Sequence, residues 1–140
     1  MTIILICGDW NRQHTDAQAV RQQVFILEQG VPVELEWDEM DALCLHVVAY
    51  DDGQPIGTGR LLPDGHIGRM AVTETRRRAG IGSAILARLM QEAKNRGDRV
   101  VALNAQVQVQ AFYRRHGFVA EGDIFMDAGI PHIHMHHEFE

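Results

Sequence analysis

Arginines and glycines crowd one stretch of the chain, HIGRMAVTETRRRAGIGS over residues 66–83, in a spacing that points to anion binding. Arg76, Arg77 and Arg78 lead through Ala79 into Gly80-Ile81-Gly82-Ser83, where an apolar helical pattern begins. A helix start leaves its first backbone N–H groups without intrahelical partners and gathers partial positive charge there. Glycine at positions 80 and 82 removes the Cβ atoms that would hold a phosphate away from those groups. The arginines add formal charge inside a chain whose net charge is −6. A diphosphate suits such a junction.

The Walker pattern GxxxxGK[ST] is absent, because no Lys-Ser or Lys-Thr pair follows the glycines. A dinucleotide fingerprint GxGxxG fails as well, since Ile85 stands at the third glycine position. The pattern [Q/R]-x-x-G-x-[G/A] does fit, with Arg77, Gly80 and Gly82 in its defined places. Elsewhere, His132, His134 and His136 alternate and would share one face of a strand, a spacing able to hold zinc or nickel. No Cys or carboxylate motif at diagnostic spacing accompanies them, and a polar edge strand explains them equally well. No metal is therefore expected.

These residues need a scaffold, and the composition is that of an ordinary folded domain. The chain has 140 residues, 46% hydrophobic and 23% charged, which suits one domain over 1–140 with its own core. Net acidity argues against a nucleic-acid binder and favours a cationic substrate such as an amine. Cys7 and Cys44 each lie in an apolar run, as buried thiols in a reducing compartment would. The opening MTIILIC lacks a basic flank and is too short for a signal peptide, and no run reaches membrane-spanning length. A cytoplasmic protein without membrane contact is expected.

In chain order, Ile3 to Cys7 reads as a strand and Gly8 to His14 as a polar connection. Thr15 and Gln18 form a capping-box pattern, followed at helical spacing by Ala17, Val20, Val24 and Leu27; Gly30 and Pro32 end that helix. The acidic VPVELEWDEMDA segment reads as a short helix or loop, best explained as a solvated face. Strands over 43–50 and 55–62 flank Asp51-Asp52-Gly53, and Pro63-Asp64-Gly65 turns into the strand at His66. After the glycine loop, Ile81, Ile85, Leu89 and Leu86, Met90, Ala93 form a wide apolar helix face that stops at Gly97. The run RVVALN over 99–104 reads as a buried strand parallel to the strand before the loop. A short helix around Phe112 and Tyr113 follows, then a strand from Phe118, a loop, and a last strand over 133–139.

Two motifs in this order carry a family resemblance. The pattern on Arg77, Gly80 and Gly82 resembles the acyl-CoA-binding motif of the GNAT superfamily of N-acetyltransferases. The run from Asn104 to Phe118, with Phe112, Tyr113, Gly117 and Phe118, is similar to that family's strand-then-F-Y-x-x-x-G-F element. The element order matches over nearly the whole chain. Val24-Phe25 with Glu28-Gln29, Asn104-Ala105-Gln106, and Asp127-Ala128-Gly129-Ile130-Pro131-His132 are similar to the ElaA/YjcF-like branch of small bacterial members.

The resemblance implies an α/β (α+β) GNAT fold: a twisted, mostly antiparallel mixed sheet of six or seven strands, flanked by about four helices. Acetyl-CoA would be the co-substrate, lying in a gap between two parallel central strands. Met70, Ala71 and Val72 would pair with its pantetheine arm, with Met70 or Ala71 supplying an oxyanion-type N–H from a β-bulge. N–H groups from Arg78 to Ser83, Ile81 among them, would cradle the pyrophosphate, and Asn104 would bind the pantetheine beyond. Phe112 completes the implied binding set. The implied reaction is direct attack of a neutral primary amine on the thioester, with Tyr113 donating a proton to the departing thiolate. Glu28, Glu36, Asp38, His46, His66 and His132 remain open as the base, Glu28, His46 and His132 foremost. The acceptor is unnamed, a homodimer is allowed, and a non-catalytic acyl-CoA-binding domain of the same fold is the alternative.

Overall fold

The computed structural model describes residues 2–140, and its strands fall into two sheets rather than one continuous sheet. Strands β1 (Ile3–Gly8), β2 (Leu45–Asp51), β3 (Gln54–Leu61) and β4 (Ile67–Val72) form an antiparallel sheet in that order. Asp52 and Gly53, with φ of 50° and 83°, make the tight turn between β2 and β3, where a turn was expected. The second sheet holds β5 (Val100–Gln106), β6 (Val119–Asp127) and β7 (Ile130–Glu138) in the order β5-β7-β6, also antiparallel. The expected late loop is therefore a hairpin, β6 and β7 turning at Ala128 and Gly129 with φ of 52° and 76°. The strand expected from Phe118 continues to Asp127, past a register shift between Glu121 and Phe125 where Gly122, at φ of 81°, reads as a turn.

The expected parallel relation of β4 and β5 survives at one place among the described residues, a bridge between His66 and Ala102. The Ala102 N–H donates to the Gly65 carbonyl at 3.1 Å. Gly65 has φ of 92°, and a Cβ there would lie 2.8 Å from the Val100 carbonyl oxygen, so the joint takes a glycine. Beyond the joint the two strands diverge. Among the described residues the far edge of β4 is left without a strand partner, which opens a V between the sheets.

Helix α3 (Ile81–Asn95) fills the angle between the sheets with the apolar face expected of it: Ile81, Ile85, Leu86, Leu89 and Ala93 are buried. They pack with Val47 and Ile56 of the first sheet and with Val101, Leu103 and Met135 of the second, one core beneath both. A Cβ at Gly57 would meet Ile85 Cδ1 at 2.8 Å, so this close helix–sheet approach requires glycine.

Helix α1 (Trp10–Arg21) begins earlier than the capping box suggests. Asp9 is its cap, accepting from the Arg12 N–H at 3.0 Å, and Thr15 lies in its interior. The helix then widens into a π-helical continuation over Gln22–Glu28. An extra residue per turn rotates the faces, so Leu27, expected on the apolar stripe, is 72% exposed. Helix α2 (Val33–Glu36) and a 3-10 turn (Glu39–Leu43) carry the acidic segment. That segment is a solvated face only in part: Glu34 and Glu39 are exposed, but Glu36 and Asp41 are buried, Glu36 accepting from Arg21 Nε at 2.6 Å and Asp41 from Arg60 Nη1 at 2.8 Å. Arg21 and Arg60 are the partners its charge pattern alone could not reveal.

Candidate active site in the cleft between the sheets

The V opens into a cleft of about 940 Å³, toward the upper end of the range for small-molecule sites. One wall is β4, the other is β5 with the start of β7, and the floor is the entry to α3 together with helix α4 (Gln110–Arg115). Met70, Ala71, Val72, Arg77, Arg78, Gly80, Ile81, Gly82, Ser83, Asn104, Phe112 and Tyr113, dispersed over more than forty positions, all line it. Ala79 is in the implied set but does not line the cleft.

The floor gathers backbone N–H groups at a helix entry, an arrangement that suits an anion. Gly80, with φ of 79°, ends the loop in a left-handed turn, and Arg78 precedes it at φ of 67°. The first intrahelical bond of α3 is Ala84 N–H to Gly80 carbonyl at 3.1 Å, so the N–H groups of Ile81, Gly82 and Ser83 come before it. A Cβ at Gly80 would meet nothing within 4 Å, while one at Gly82 would point at Phe112 and Val72 at 3.5 and 3.8 Å. The cradle is thus a space that side chains would fill, fitting the diphosphate of a CoA ester. His116 and Ser83 share a hydrogen bond at 3.0 Å beside it.

Midway along the wall, β4 carries a bulge. Thr58 pairs with Ala71 and Arg60 with Gly68, so Arg69 and Met70 together stand against Gly59. Arg69 takes φ of 50°, a conformation that costs of order 1–3 kcal/mol for a residue with a side chain. A Cβ at Gly59 would lie 2.6 Å from Met70 Sδ, so the partner strand must be bare where the bulge presses on it.

Opposite, Tyr113 is 8% exposed, its ring edge-on to Phe112 and Phe118 at 5.1 and 6.0 Å. Its hydroxyl has no hydrogen-bond partner among the described residues. Burial pushes the phenol up to about 12, so it is protonated at any ordinary pH. Asn104 accepts at 3.0 Å from His134 Nδ1, which fixes its amide on the cleft wall.

The far end of the cleft lies between the π-helical segment and the β6–β7 hairpin. Phe25, Glu28 and Gln29 come from the first, Asp127, Ile130 and His132 from the second. Gln106 Nε2 donates to Gln29 Oε1 at 2.9 Å, a link between the segment and β5 that the sequence did not suggest. His132 Nδ1 donates to the Ile130 carbonyl at 2.7 Å and its ring stacks on Phe125, leaving Nε2 with the lone pair. Glu28, in contrast, is held by Arg77, whose hydrogen bonds lower its carboxyl below the ordinary range.

His46 is not in the cleft. It is buried against Trp10 with ring centroids 4.6 Å apart, its Nε2 donating to the Asp41 carbonyl, and burial lowers its pKa. Alternation along β2 could not say which end of the sheet the imidazole would reach. Glu36 and Asp38 are committed to arginines, and His66 sits at the joint of the sheets with Nδ1 3.0 Å from Asp64 Oδ1. Among the described residues no group of three His, Cys, Asp or Glu could hold a metal ion, and no helix is long and apolar enough to cross a membrane.

A split sheet with a glycine cradle at its fork and an unpaired strand edge along one wall defines an acyl-CoA-dependent acyltransferase architecture. The profile of the Acetyltransferase (GNAT) domain matches residues 11–139, and the chain belongs to that family. It is 42% identical over 127 residues to YjcF, an uncharacterized N-acetyltransferase of Bacillus subtilis (strain 168), covering 88% of this chain and 91% of the relative. Among solved structures, Escherichia coli ElaA superposes with a TM-score of 0.88 at 25% identity, covering 98% of this chain and 100% of that one. An acyl-CoA N-acyltransferase from Pseudomonas aeruginosa does so with a TM-score of 0.87 at 31% identity, covering 97% and 99%. The chain is an acyltransferase of the GNAT type, similar to the ElaA/YjcF branch.

Proposed function

We propose that the protein transfers the acetyl group of acetyl-CoA to a primary amine, by direct attack and without an acyl-enzyme. The observation that carries this reading is the geometry of the fork. A Cβ-free helix entry and a β4 edge unpaired among the described residues share one cleft with a buried phenol whose hydroxyl has no other partner among them. Bound acetyl-CoA would supply an activated thioester. The N–H groups of Ile81, Gly82 and Ser83 would hold its diphosphate, and the β4 edge from Met70 to Val72 would pair with the pantetheine amides. An N–H of the Met70–Ala71 bulge would face the thioester carbonyl.

Tyr113 acts as a hydrogen-bond donor toward the sulfur. A thiolate of ordinary pKa near ~8.5 is a weaker base than this phenolate, so complete proton transfer is uphill and the hydrogen bond itself carries the effect. His132 is assigned as the base, because its tautomer leaves Nε2 unprotonated on the wall where the amine enters. Glu28 is less suited, since its carboxylate is occupied by Arg77 and weakened as a base.

Calorimetric titration of the untagged protein with acetyl-CoA tests the reading, with dephospho-CoA and ATP as controls. Micromolar acetyl-CoA binding followed by thiol release with an amine supports it. Binding without thiol release across a broad amine panel replaces it with an acyl-CoA-binding domain, and no binding overturns it. In an active protein, His132→Gln is expected to lower kcat about 100-fold, within the usual range for a general base.

A further inference from the structure

We propose that a closed ring of three arginines and three carboxylates holds the β4 bulge in its working conformation, making Arg69 and Asp38 positioning residues for acyl transfer. The inference rests on the acetyltransferase reading given above. Glu36 takes Arg21 Nε at 2.6 Å and Arg69 Nε at 3.2 Å. Asp38 takes Arg69 Nη2 at 3.2 Å and Arg60 Nη1 at 2.8 Å. Asp41 closes the circuit, receiving Arg60 Nη1 and Arg21 Nη1 at 2.8 Å each. Trp10 and Trp37 flank the Arg21 guanidinium at 5.6 and 5.1 Å.

The charges balance within the ring, so it needs no external ion and presents no spare charge to a substrate. Four of the six, Arg21, Arg60, Glu36 and Asp41, are buried; removing charged groups from water is costly, and a well-packed apolar cluster would pin the same segments at least as firmly. What charge pairing adds is direction. Arg69 is the residue at φ of 50°, and Arg60 adjoins Gly59, the position on β3 that faces the bulge. The ring therefore grips both strands at the one place where their register shifts. Arg69 Nη2 also lies 3.4 Å from the Leu35 carbonyl, so its head is drawn toward the acidic segment, and the residue is part of the cleft lining. An arginine without those partners favours negative φ, which would turn the neighbouring N–H of Met70 out of its present direction.

The thioester carbonyl of bound acetyl-CoA reports that N–H. Isotope-edited infrared spectroscopy on acetyl-CoA labelled at the carbonyl carbon reads hydrogen bonding to it, with no acceptor required. Arg69 and Asp38 are the ring members with partly exposed side chains, and Arg69→Gln and Asp38→Asn are the variants of choice. Bound to wild-type protein, the carbonyl band should fall below its frequency in free acetyl-CoA. In both variants it should return toward the free value, with acetyl-CoA affinity held within about threefold by calorimetry. Arg69→Gly provides the rescue: glycine adopts positive φ without strain, so it should keep more of the band shift than Arg69→Gln. A wild-type shift retained in Arg69→Gln and Asp38→Asn overturns the inference, as does an Arg69→Gly variant no better than Arg69→Gln. Failure of wild-type protein to bind acetyl-CoA at all overturns the proposed function instead, so the two failures are told apart.

Discussion

The Glu28 carboxylate and the Arg77 guanidinium, 49 positions apart, join through two hydrogen bonds of 2.7 and 2.6 Å on the cleft wall. Arg77 also donates from Nε to the Val72 carbonyl at 2.9 Å. The arginine at the motif position thus ties the end of β4 and the π-helical segment to the glycine loop. In the proposed function, the backbone N–H groups beside it are left to meet the diphosphate.

Breaking that clasp should cost little stability and show a definite pH dependence. The pair is more than a third exposed on the Arg77 side, so Glu28→Gln is expected to cost about 0.2–1 kcal/mol. Arg77 lowers the Glu28 pKa in the folded state. Its contribution is therefore present above the ordinary carboxylate range and lost as pH falls through the folded value. Urea midpoints of wild type and Glu28→Gln should differ near pH ~7 and converge near pH ~3. Midpoints that differ equally at both pH values would assign the effect to packing.

Filling the cradle should abolish cofactor binding without unfolding the protein. A Cβ at Gly82 meets only ordinary contacts, and a larger side chain there would extend toward Phe112 and into the proposed diphosphate site. Gly82→Trp is expected to weaken CoA binding by about 100-fold or more, or about 2.7 kcal/mol, with little change in melting temperature. Calorimetry on the folded variant checks it; wild-type affinity would place the diphosphate elsewhere.

Local chemistry made much of the cleft lining legible from sequence. The glycine spacing, the Phe112-Tyr113 pair and the hairpin turn at Asp52-Gly53 are each written within a few residues, so their meaning needs no distant partner. What stayed hidden depends on distance or on a change of period. Arg21 meets Glu36 and Asp41 across 15 and 20 positions, and Arg69 meets Asp38 across 31, so a buried ring looked like a solvated acidic stretch. The π-helical widening broke the 3.6-residue period on which Leu27 was placed. Pro131 next to a turn disguised the start of β7, which pairs Pro131 with Met126.

Acid sensitivity of the fold should arise in part from His46. Burial lowers its pKa in the folded state, so below the ordinary histidine value near ~6.5 the unfolded chain binds the extra proton first. The stability it contributes is complete above that value and is lost as pH falls toward the folded pKa. His46→Gln, whose amide can still donate to the Asp41 carbonyl, should flatten this part of the stability–pH curve. The slope removed is up to about 1.4 kcal/mol per pH unit. His116, lowered by burial as well, titrates in the same direction and retains its own share in the variant. Urea unfolding across the mildly acidic range makes the comparison, and parallel curves would refute the assignment.

Tyr113→Phe separates chemistry from packing more cleanly than any other single change in the cleft. The ring contacts with Phe112 and Phe118 are made by carbon and survive the substitution, so the fold and the cofactor site should be kept. Only the hydroxyl, which has no partner among the described residues, is removed. If it donates to the sulfur as the carbon–sulfur bond breaks, kcat should fall by about 100-fold while acetyl-CoA affinity stays within about threefold. Because burial pushes this phenol to about 12, its ionisation cannot shape the rate profile at moderate pH. The variant should therefore lower the plateau of the pH–rate profile and leave its limbs in place. A limb that moves would assign Tyr113 a titrating role. An unchanged kcat would leave it as a packing residue, with leaving-group stabilisation to be sought among the other groups that line the fork.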